Sequence, residues 1–249
     1  MNPPESDRDY WEDRARRHGS RAAGYRDDAM DAYEDRLRGS AIARLVGLGH
    51  GRRLLDAGCG AGRWSVFLAQ NGWVVTGADI SHELIRLASP AAGVTYIASS
   101  IQDLELPAGN FDAWLSVTAL QHITSPLEFD AALDNLTRML RPGGAAAVLE
   151  YSPLGAVGTM PSYMRARSRR QWIEVMTSRG YVKRAESGVR FLGHGPYILG
   201  VRLLRRFGIS AAALNALRSA CWLLDLSLAR LPIVTRLADV RLLVFEKPR

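Results

Sequence analysis

Short apolar stretches alternate along this chain with segments in which apolar residues recur every three to four positions. The short stretches have the length of buried strands, whereas the recurring spacing is typical of amphipathic helices. Regular alternation of the two kinds predicts an α/β fold with a largely parallel sheet. The predicted strands are 53–56, 73–79, 94–99, 111–117, 145–151, 181–189 and 240–246.

Helices are predicted between these strands, at 61–71, 82–88, 127–140 and 169–179. The sequence RPGG at 141–144 predicts a turn that separates the third of them from the next strand. The charged segment 1–21 predicts a leading helix. Residues 193–236 precede the last strand and are numerous enough for two or three helices, so they predict a helical cap inserted there.

Composition places the chain among ordinary globular proteins, since 47% of its residues are hydrophobic and 23% are charged. Its two cysteines, Cys59 and Cys221, cannot form a disulfide framework, and the charged first segment lacks the apolar core of a secretory signal. We therefore expect an intracellular, cytoplasmic protein. The most apolar region, 211–234, is interrupted by charges and a proline, which argues against a transmembrane segment.

The net charge of +7 is unevenly distributed. Residues 1–150 contain 15 Lys and Arg against 20 Asp and Glu, whereas residues 151–249 contain 17 against 5, a balance of +12. A basic half of this kind suits an anionic substrate, a membrane surface or a nucleic acid, and it also suits a merely solvated surface. Charge alone leaves these alternatives open.

The stretch RLLDAGCGAGRW at 53–64 combines a strand, an acid and three closely spaced glycines. A dinucleotide-binding loop needs glycine at the first, third and sixth positions, but the sixth position counted from Gly58 is Arg63. A phosphate-binding P-loop needs a following GK[ST], which is absent. The remaining pattern is G-x-G-x-G directly after a strand that ends in Asp56, with Gly60 and Gly62 as its other glycines.

This stretch resembles the first motif of the class I S-adenosylmethionine-dependent methyltransferases. VVTGADIS, SSIQDLELPAGNFDAWLSVTALQHI and MLRPGGAAAVLE resemble the later motifs in the same order, and the resemblance covers about 53–151. It implies a Rossmann-like sheet of seven strands with the last one antiparallel, and S-adenosylmethionine as cofactor. It also implies a single domain, 1–249, with an N-terminal helical lid (1–50), a cofactor-binding half (51–151) and a substrate half (152–249).

Carried over by position, the resemblance implies a set of cofactor-binding residues. Asp79 ends a strand and can accept two hydrogen bonds from ribose hydroxyls, although it could instead cap the helix that starts near Ser81. Arg38 is a candidate for the cofactor carboxylate, although it could instead pair with Glu34 on a solvated helix face. The implied residues are Tyr25 and Arg38 in the lid, Asp56, Gly58, Cys59, Gly60 and Gly62 at the methionine end, Asp79 and Ile80 at the ribose, Ser100, Ile101 and Gln102 at the adenine, and Val117 and Thr118 beneath the sulfonium.

One position departs from the family pattern. Relatives commonly have an aspartate where this chain has Ser100, and that acid meets the adenine amino group. Serine can also accept a hydrogen bond, and Asp103 is nearby in the sequence. We expect cofactor binding to be retained with lower affinity.

His122 is the candidate catalytic residue. It follows the fourth strand, where a base could take a proton from a hydroxyl or ammonium acceptor, and it could equally serve to pack or fix the loop. His194 is a second candidate. The sequence does not distinguish transfer to oxygen, nitrogen or carbon. No metal is expected, because Asp103, Asp112, His122 and Glu150 do not have the spacing of metal ligands.

The acceptor pocket is expected between the first helices, the loop at 151–168 and the insertion. Its apolar positions, with Arg165, Arg167, Arg205 and Arg206 among them, suggest a small lipophilic metabolite, with or without an acidic group, from specialised metabolism. The alternatives are a tRNA or other nucleic acid, disfavoured by scattered arginines, and a non-catalytic cofactor-binding module. Peripheral membrane contact through the basic, amphipathic 199–207 stays open, as do monomer and homodimer.

Overall fold

A computed structural model describes residues 6–23, 28–153, 160–190, 206, 208, 210–228, 231 and 238–249. Several predictions from the sequence concern residues outside these ranges. They are the lid residue Tyr25, the second candidate base His194, Arg205, and most of 199–207 and of the predicted insertion.

A seven-stranded sheet organises the fold. Its strands, in chain order, are β1 (Arg53–Ala57), β2 (Val74–Asp79), β3 (Val94–Ala98), β4 (Phe111–Val117), β5 (Leu140–Tyr151), β6 (Val182–Arg190) and β7 (Val240–Glu246). They lie in the order β3-β2-β1-β4-β5-β7-β6. Strands β1 to β5 pair in parallel, and β7 is antiparallel to both of its neighbours. The predicted mostly parallel sheet with an antiparallel last strand is confirmed.

Helices connect and flank the strands. Their bounds are α1 (Asp7–His18), α2 (Asp28–Leu45), α3 (Arg63–Gln70), α4 (His82–Arg86), α5 (Pro126–Met139), α6 (Arg169–Thr177) and α7 (Ala211–Leu228), with 3-10 turns at Gly19–Ala23 and Leu120–His122. The side chains of Ser6, Ser81, Ser125 and Ser168 accept hydrogen bonds from first-turn amides of α1, α4, α5 and α6. These serines explain where the four helices begin. Helix α1 confirms the predicted leading helix.

The prediction of a turn at 141–144 is wrong in one respect, because β5 already begins at Leu140. Leu140 pairs with Phe111 of β4, and the register shifts between Phe111 and Ala113. The two glycines therefore create an irregularity within the strand, where Gly143 has a φ of +72°. Pairing with β4 on both sides of the irregularity keeps the segment in the sheet.

Two apolar cores cover the two faces of the sheet. Adjacent strand residues alternate between them: Leu54 and Leu115 pack with α2 and α3, whereas Leu55 and Trp114 pack with α5 and α6. This period of two is the one expected for strands buried on both faces. In the described part of the chain, no helix combines the length and apolar character needed to cross a bilayer.

Candidate functional site

A cavity of about 1060 Å³ lies at the carboxyl ends of β1, β2 and β4. In an open parallel sheet this edge, where the strand order reverses, is the usual place for a ligand. Residues from α1, α2 and the loop at 160–164 complete the walls. The predicted site residues that line the cavity are Arg38, Gly58, Cys59, Gly60, Asp79, Ile80, Ser100, Ile101, Gln102, Val117, Thr118 and His122.

The glycine loop is tightly packed against its surroundings. Gly58 has a φ of +79°, and a Cβ atom there would lie 2.2 Å from the Cβ of Ala119. Gly62 has a φ of +81°, and a Cβ there would lie 2.1 Å from the hydroxyl of Tyr96. Only glycine satisfies both the backbone conformation and the space at these positions. Gly62 belongs to the packing behind the loop and does not line the cavity.

Asp79 joins the end of β2 to the glycine loop. Its Oδ2 accepts a hydrogen bond from the Gly60 amide at 2.8 Å, and its Oδ1 accepts one from the Ser81 amide at 3.0 Å. Burial raises the pKa of this carboxyl, and the backbone hydrogen bonds act in the opposite direction. The alternative of Asp79 as a helix cap is not observed, because Ser81 caps α4.

Asp56 lies behind the loop and outside the cavity wall. Its side chain is fully buried and accepts a hydrogen bond from the Ser65 hydroxyl at 2.6 Å. Burial raises its pKa to about 7, against the opposing effect of that hydrogen bond. Asp56 therefore ties β1 to the first turn of α3, and its contact is with the protein and not with the cavity.

Ser100 and Asp103 form a hydrogen-bonded pair at the adenine side. The Ser100 hydroxyl lies 2.5 Å from Oδ2 of Asp103, and both residues line the cavity. The side-chain amide of Asn135 donates to the carbonyls of Ile101 and Leu104 and holds this loop against α5. The chain thus supplies a carboxylate three residues after the position where relatives carry one.

Thr118 and Glu150 shape the turn that follows β4. Thr118 has a φ of +52°, which is unusual for a β-branched residue and is typical of strained backbone at functional sites. One oxygen of Glu150, Oε1, accepts hydrogen bonds from the amides of Ala119 (3.1 Å) and Leu120 (3.0 Å). The buried carboxyl of β5 therefore holds the turn that carries Thr118 and His122.

Replacing Glu150 with glutamine is expected to reduce the loss of stability at alkaline pH. Burial raises the pKa of Glu150 from 4.5 to about 8. The folded protein therefore binds more protons than the unfolded chain between these values, and the free energy of unfolding falls as pH rises through them. Glutamine keeps the acceptor oxygen but has no charge to bury.

The measurement is urea unfolding at pH 5 and pH 8.5. Between these pH values the free energy of unfolding should fall less for Glu150→Gln than for the wild type. For the control Glu174→Gln, on the exposed face of α6, it should fall as much as for the wild type. An unchanged fall in Glu150→Gln would contradict the assignment. Asp56, with its pKa of about 7, should contribute the same sign of slope in all three proteins.

Helix α2 contributes a charged wall. Arg38 is buried, lies 3.3 Å from Glu34 through its Nη2, and leaves its Nε without a hydrogen-bond partner in the described structure. The pairing with Glu34 predicted as an alternative is present, but the pair is buried and faces the cavity and is not on a solvated face. Arg63 of α3 bridges to Asp35 of the same wall at 2.9 Å.

Helix α1 covers the cavity from above. The Glu12 carboxylate accepts hydrogen bonds from the amides of His82 (2.7 Å) and Glu83 (3.3 Å) at the start of α4. The favourable position of an acid at a helix N-terminus strengthens this contact. Helix α1 is thus attached to the segment that directly follows Asp79 and Ile80.

An aromatic group lines the other end of the cavity. The Tyr163 ring stacks on Tyr10 at 4.9 Å and on His122 at 5.9 Å, and Trp11 meets the His122 ring edge-on at 4.9 Å. These contacts connect α1, the loop at 160–164 and the turn after β4. The Arg14 guanidinium lies 5.6 Å from the centre of the Trp11 ring and also lines the cavity.

His122 has a defined orientation within this group. Its Nδ1 lies 3.0 Å from the carbonyl oxygen of Tyr163, which can only accept, so Nδ1 carries the proton in the neutral ring. Its Nε2 then holds the lone pair, 3.4 Å from the side-chain nitrogen of Gln121. Burial lowers the pKa of His122; the hydrogen bond to the Tyr163 carbonyl opposes this shift, and the Arg14 charge adds to it. The ring is therefore neutral at pH 7.

Of the four arginines expected at the acceptor pocket, the three that the structure describes do not line the cavity. Arg167 is buried with its guanidinium over the Phe129 ring and does not line the cavity, and neither does Arg165. Arg206 is exposed. The arginines that do reach the aromatic end are Arg8 and Arg14 of α1. Among the described residues, no group of His, Cys, Asp or Glu has the arrangement of a metal site.

Four contributors to the site were not identified from the sequence: Glu12, Trp11, Tyr163 and the loop-holding role of Glu150. Each acts through a contact with a segment distant along the chain, which leaves no local pattern. A sequence signal was available only for the donor side of the Glu12 contact, since Ser81 marks the start of α4, whose first amides donate to Glu12.

The chain has relatives among proteins of known family and structure. Residues 54–144 match a family described as a methyltransferase domain. The malonyl-[acyl-carrier protein] O-methyltransferase of Pseudescherichia vulneris is 35% identical over 148 residues, which cover 58% of this chain and 56% of that protein. The ubiquinone biosynthesis O-methyltransferase of Caulobacter sp. (strain K31) is 35% identical over 124 residues, which cover 45% and 48%.

Among solved structures, the Haemonchus contortus phosphoethanolamine N-methyltransferase 2 in complex with phosphomonomethylethanolamine and S-adenosylhomocysteine superposes with a TM-score of 0.66. The match covers 98% of this chain and 60% of that one at 18% identity, and it shows the shared fold. The chain spans about half the length of the two curated relatives it matches.

Proposed function

The chain belongs to the class I S-adenosylmethionine-dependent methyltransferases through its glycine-loop half, and from that membership we propose that it transfers the methyl group of S-adenosylmethionine to a small, largely apolar acceptor. The observation that carries the proposal is the continuity of the cavity. The glycine loop, Asp79 and the Ser100–Asp103 pair line the same cavity as the aromatic group at Trp11, His122 and Tyr163. A cofactor and an acceptor bound there would be in contact.

The residues present suit the cofactor at each of its parts. Asp79 has lone pairs left for ribose hydroxyls after accepting its two amides, and the Ser100–Asp103 pair offers acceptors to the adenine amino group. Arg38 lines the cavity with a largely buried guanidinium, which would pair with the cofactor carboxylate. When bound, the cofactor supplies a methyl group on a positively charged sulfur.

The chain itself contributes positioning, exclusion of water and a base. Holding an acceptor atom in line with a reactive methyl supplies much of the rate in such a displacement. Helix α1, as the lid of the site, closes the cavity above the turn of Thr118. His122, neutral at pH 7 with its lone pair on Nε2, accepts the proton of a hydroxyl or ammonium acceptor.

The aromatic end supports an apolar acceptor, since Tyr10, Trp11, Tyr163 and Met164 line the cavity. Arg8 and Arg14 would meet an acidic group if the acceptor carries one. A metabolite of specialised metabolism has this character, and the free thiols Cys59 and Cys221 suit a cytoplasmic setting.

The proposal is tested with tritium-labelled S-adenosylmethionine and four acceptor groups: lipophilic carboxylic acids, phenols and quinols, polar amines, and tRNA. We expect label on a lipophilic acceptor, and none with Asp79→Ala. Label confined to polar amines or tRNA would contradict the acceptor class. Cofactor binding without label on any acceptor would favour a non-catalytic module, and binding of tRNA that weakens with salt would favour a nucleic-acid substrate.

Replacing His122 with glutamine in the same assay is expected to lower kcat about 100-fold, the usual contribution of a general base. The wild-type kcat should also fall toward acid pH as the His122 imidazole gains a proton, at a pH below the ordinary imidazole range because burial lowers its pKa, and this acid limb should be missing from His122→Gln. The matched control is His82→Gln, because His82 contributes its backbone amide and not its ring. A merely packing role would instead lower stability and leave the pH profile unchanged.

A further inference from the structure

Helix α7 (Ala211–Leu228) presents an unusual face to solvent. Leu223 is 56% exposed and Leu224 is 50% exposed, and Leu231 just beyond the helix is 47% exposed. The other described exposed positions of the helix are alanines and serines, among them Ala216 and Ala220. The described solvent-facing side of this 18-residue helix therefore carries no charge.

The inward side of the same helix carries its acid. Asp225 is buried and accepts a hydrogen bond from the hydroxyl of Tyr33 on α2. Cys221, one turn earlier, is half-buried on the same side. An ordinary surface helix buries leucines and exposes acids, whereas α7 exposes Leu223 and Leu224 and buries its acid. The Tyr33–Asp225 contact fixes the rotation of α7 about its axis, and with it the outward position of Leu223 and Leu224.

The surrounding sequence is strongly basic. Residues 199–236 contain six arginines and a single acid, Asp225, which is the one turned inward. Three of the arginines precede α7, two follow it and one lies within it. An uncharged, leucine-bearing helix face with arginine-rich sequence on both sides is complementary to a lipid surface, in which anionic headgroups cover an apolar layer.

We propose that the exposed face of α7 docks on an anionic lipid surface, with Leu223 and Leu224 entering the apolar layer and the exposed Arg206, shortly before the helix, meeting the headgroups. A second copy of the chain is a poorer occupant, because it would bring two segments of the same positive sign together. Helix α7 would lie in the plane of the surface and not cross it, in keeping with the interruption by Arg218 and Asp225. This inference does not depend on the proposed methyl transfer.

The experiment is flotation of the full chain with vesicles. We expect the wild type to float with vesicles of equal phosphatidylcholine and phosphatidylglycerol and to stay at the bottom with phosphatidylcholine alone. The double variant L223E/L224E should lose at least tenfold in its partitioning to the anionic vesicles. The matched control is Leu127→Glu, which replaces a leucine that is 83% exposed on α5, and it should float like the wild type.

Urea unfolding checks that both variants fold as the wild type does, without reference to cofactor or activity. Wild-type protein that stays at the bottom with anionic vesicles would overturn the proposal. Equal flotation of L223E/L224E and the wild type would also overturn it. So would sedimentation equilibrium showing a dimer that L223E/L224E dissociates while neither protein binds vesicles.

Discussion

Replacing Asp79 with alanine is expected to weaken binding of S-adenosylmethionine by about 100-fold or more, since it removes the charged acceptor to which two ribose hydroxyls would donate. The structure adds a second reason. The same carboxylate accepts the amides of Gly60 and Ser81, so its removal also releases the glycine loop from the end of β2. Isothermal calorimetry with S-adenosylmethionine and S-adenosylhomocysteine measures the loss.

The control for this variant is Asp112→Ala. Asp112 also accepts two hydrogen bonds, from the Arg53 amide and the Arg141 side chain, but it lies at the amino end of β4, away from the cavity. Its removal should leave the cofactor affinity unchanged. The cofactor affinity of Asp79→Asn should lie between those of Asp79→Ala and Asp112→Ala, because the amide keeps one acceptor oxygen. If Asp79→Ala bound the cofactor as tightly as the wild type does, Asp79 would not be a cofactor-binding residue.

Replacing Gly58 with alanine is expected to lower the free energy of unfolding by about 2 to 5 kcal/mol and to abolish cofactor binding. The left-handed backbone costs about 1–2 kcal/mol for a residue with a Cβ. The clash at 2.2 Å with Ala119 adds an overpacking cost of about 1–3 kcal/mol. Relief of the clash would move the loop or the turn after β4, and both line the cavity.

Two further variants separate these contributions in urea unfolding. Gly109→Ala shares a positive φ, +64°, but its Cβ would meet nothing closer than 3.9 Å, so it should show the strain cost alone. The double variant G58A/A119G removes the opposing methyl group and should recover the overpacking part. If G58A/A119G is no more stable than Gly58→Ala alone, the contact with Ala119 is not the cause.

The elements and the glycine loop were predictable because their signals are local. Strand β4 was predicted to the residue, and Asp79 was expected at the end of β2, since apolar runs and glycine spacing are read directly along the chain. The fate of Asp56 was not predictable in this way. Its place beside the loop suggests cofactor contact, but its carboxylate accepts a hydrogen bond from the hydroxyl of Ser65 in the first turn of α3 and faces the protein interior.

The acceptor end was predicted least well because it is made of long-range contacts. Tyr163 reaches His122 only because the loop at 160–164 folds back over the turn after β4, where its neighbour Arg165 donates its amide to the Gln121 carbonyl at 2.7 Å. Glu150 reaches the amides of Ala119 and Leu120 because β4 and β5 are neighbours. Such contacts follow from strand order, which hydrophobic periodicity does not encode.

The position of β7 between β5 and β6 sets an order for assembly during synthesis. Strand β6 is an edge strand that pairs only with β7, yet β7 is synthesised about fifty residues after it. An emerging chain can build the five parallel strands, and with them the nucleoside end of the cavity, while β6 still has no edge to join. Strand β6 can therefore join the sheet only after β7 has been made. Until then Leu149 and Val148 present an open, apolar strand edge, so the nascent protein is most prone to aggregation in this interval.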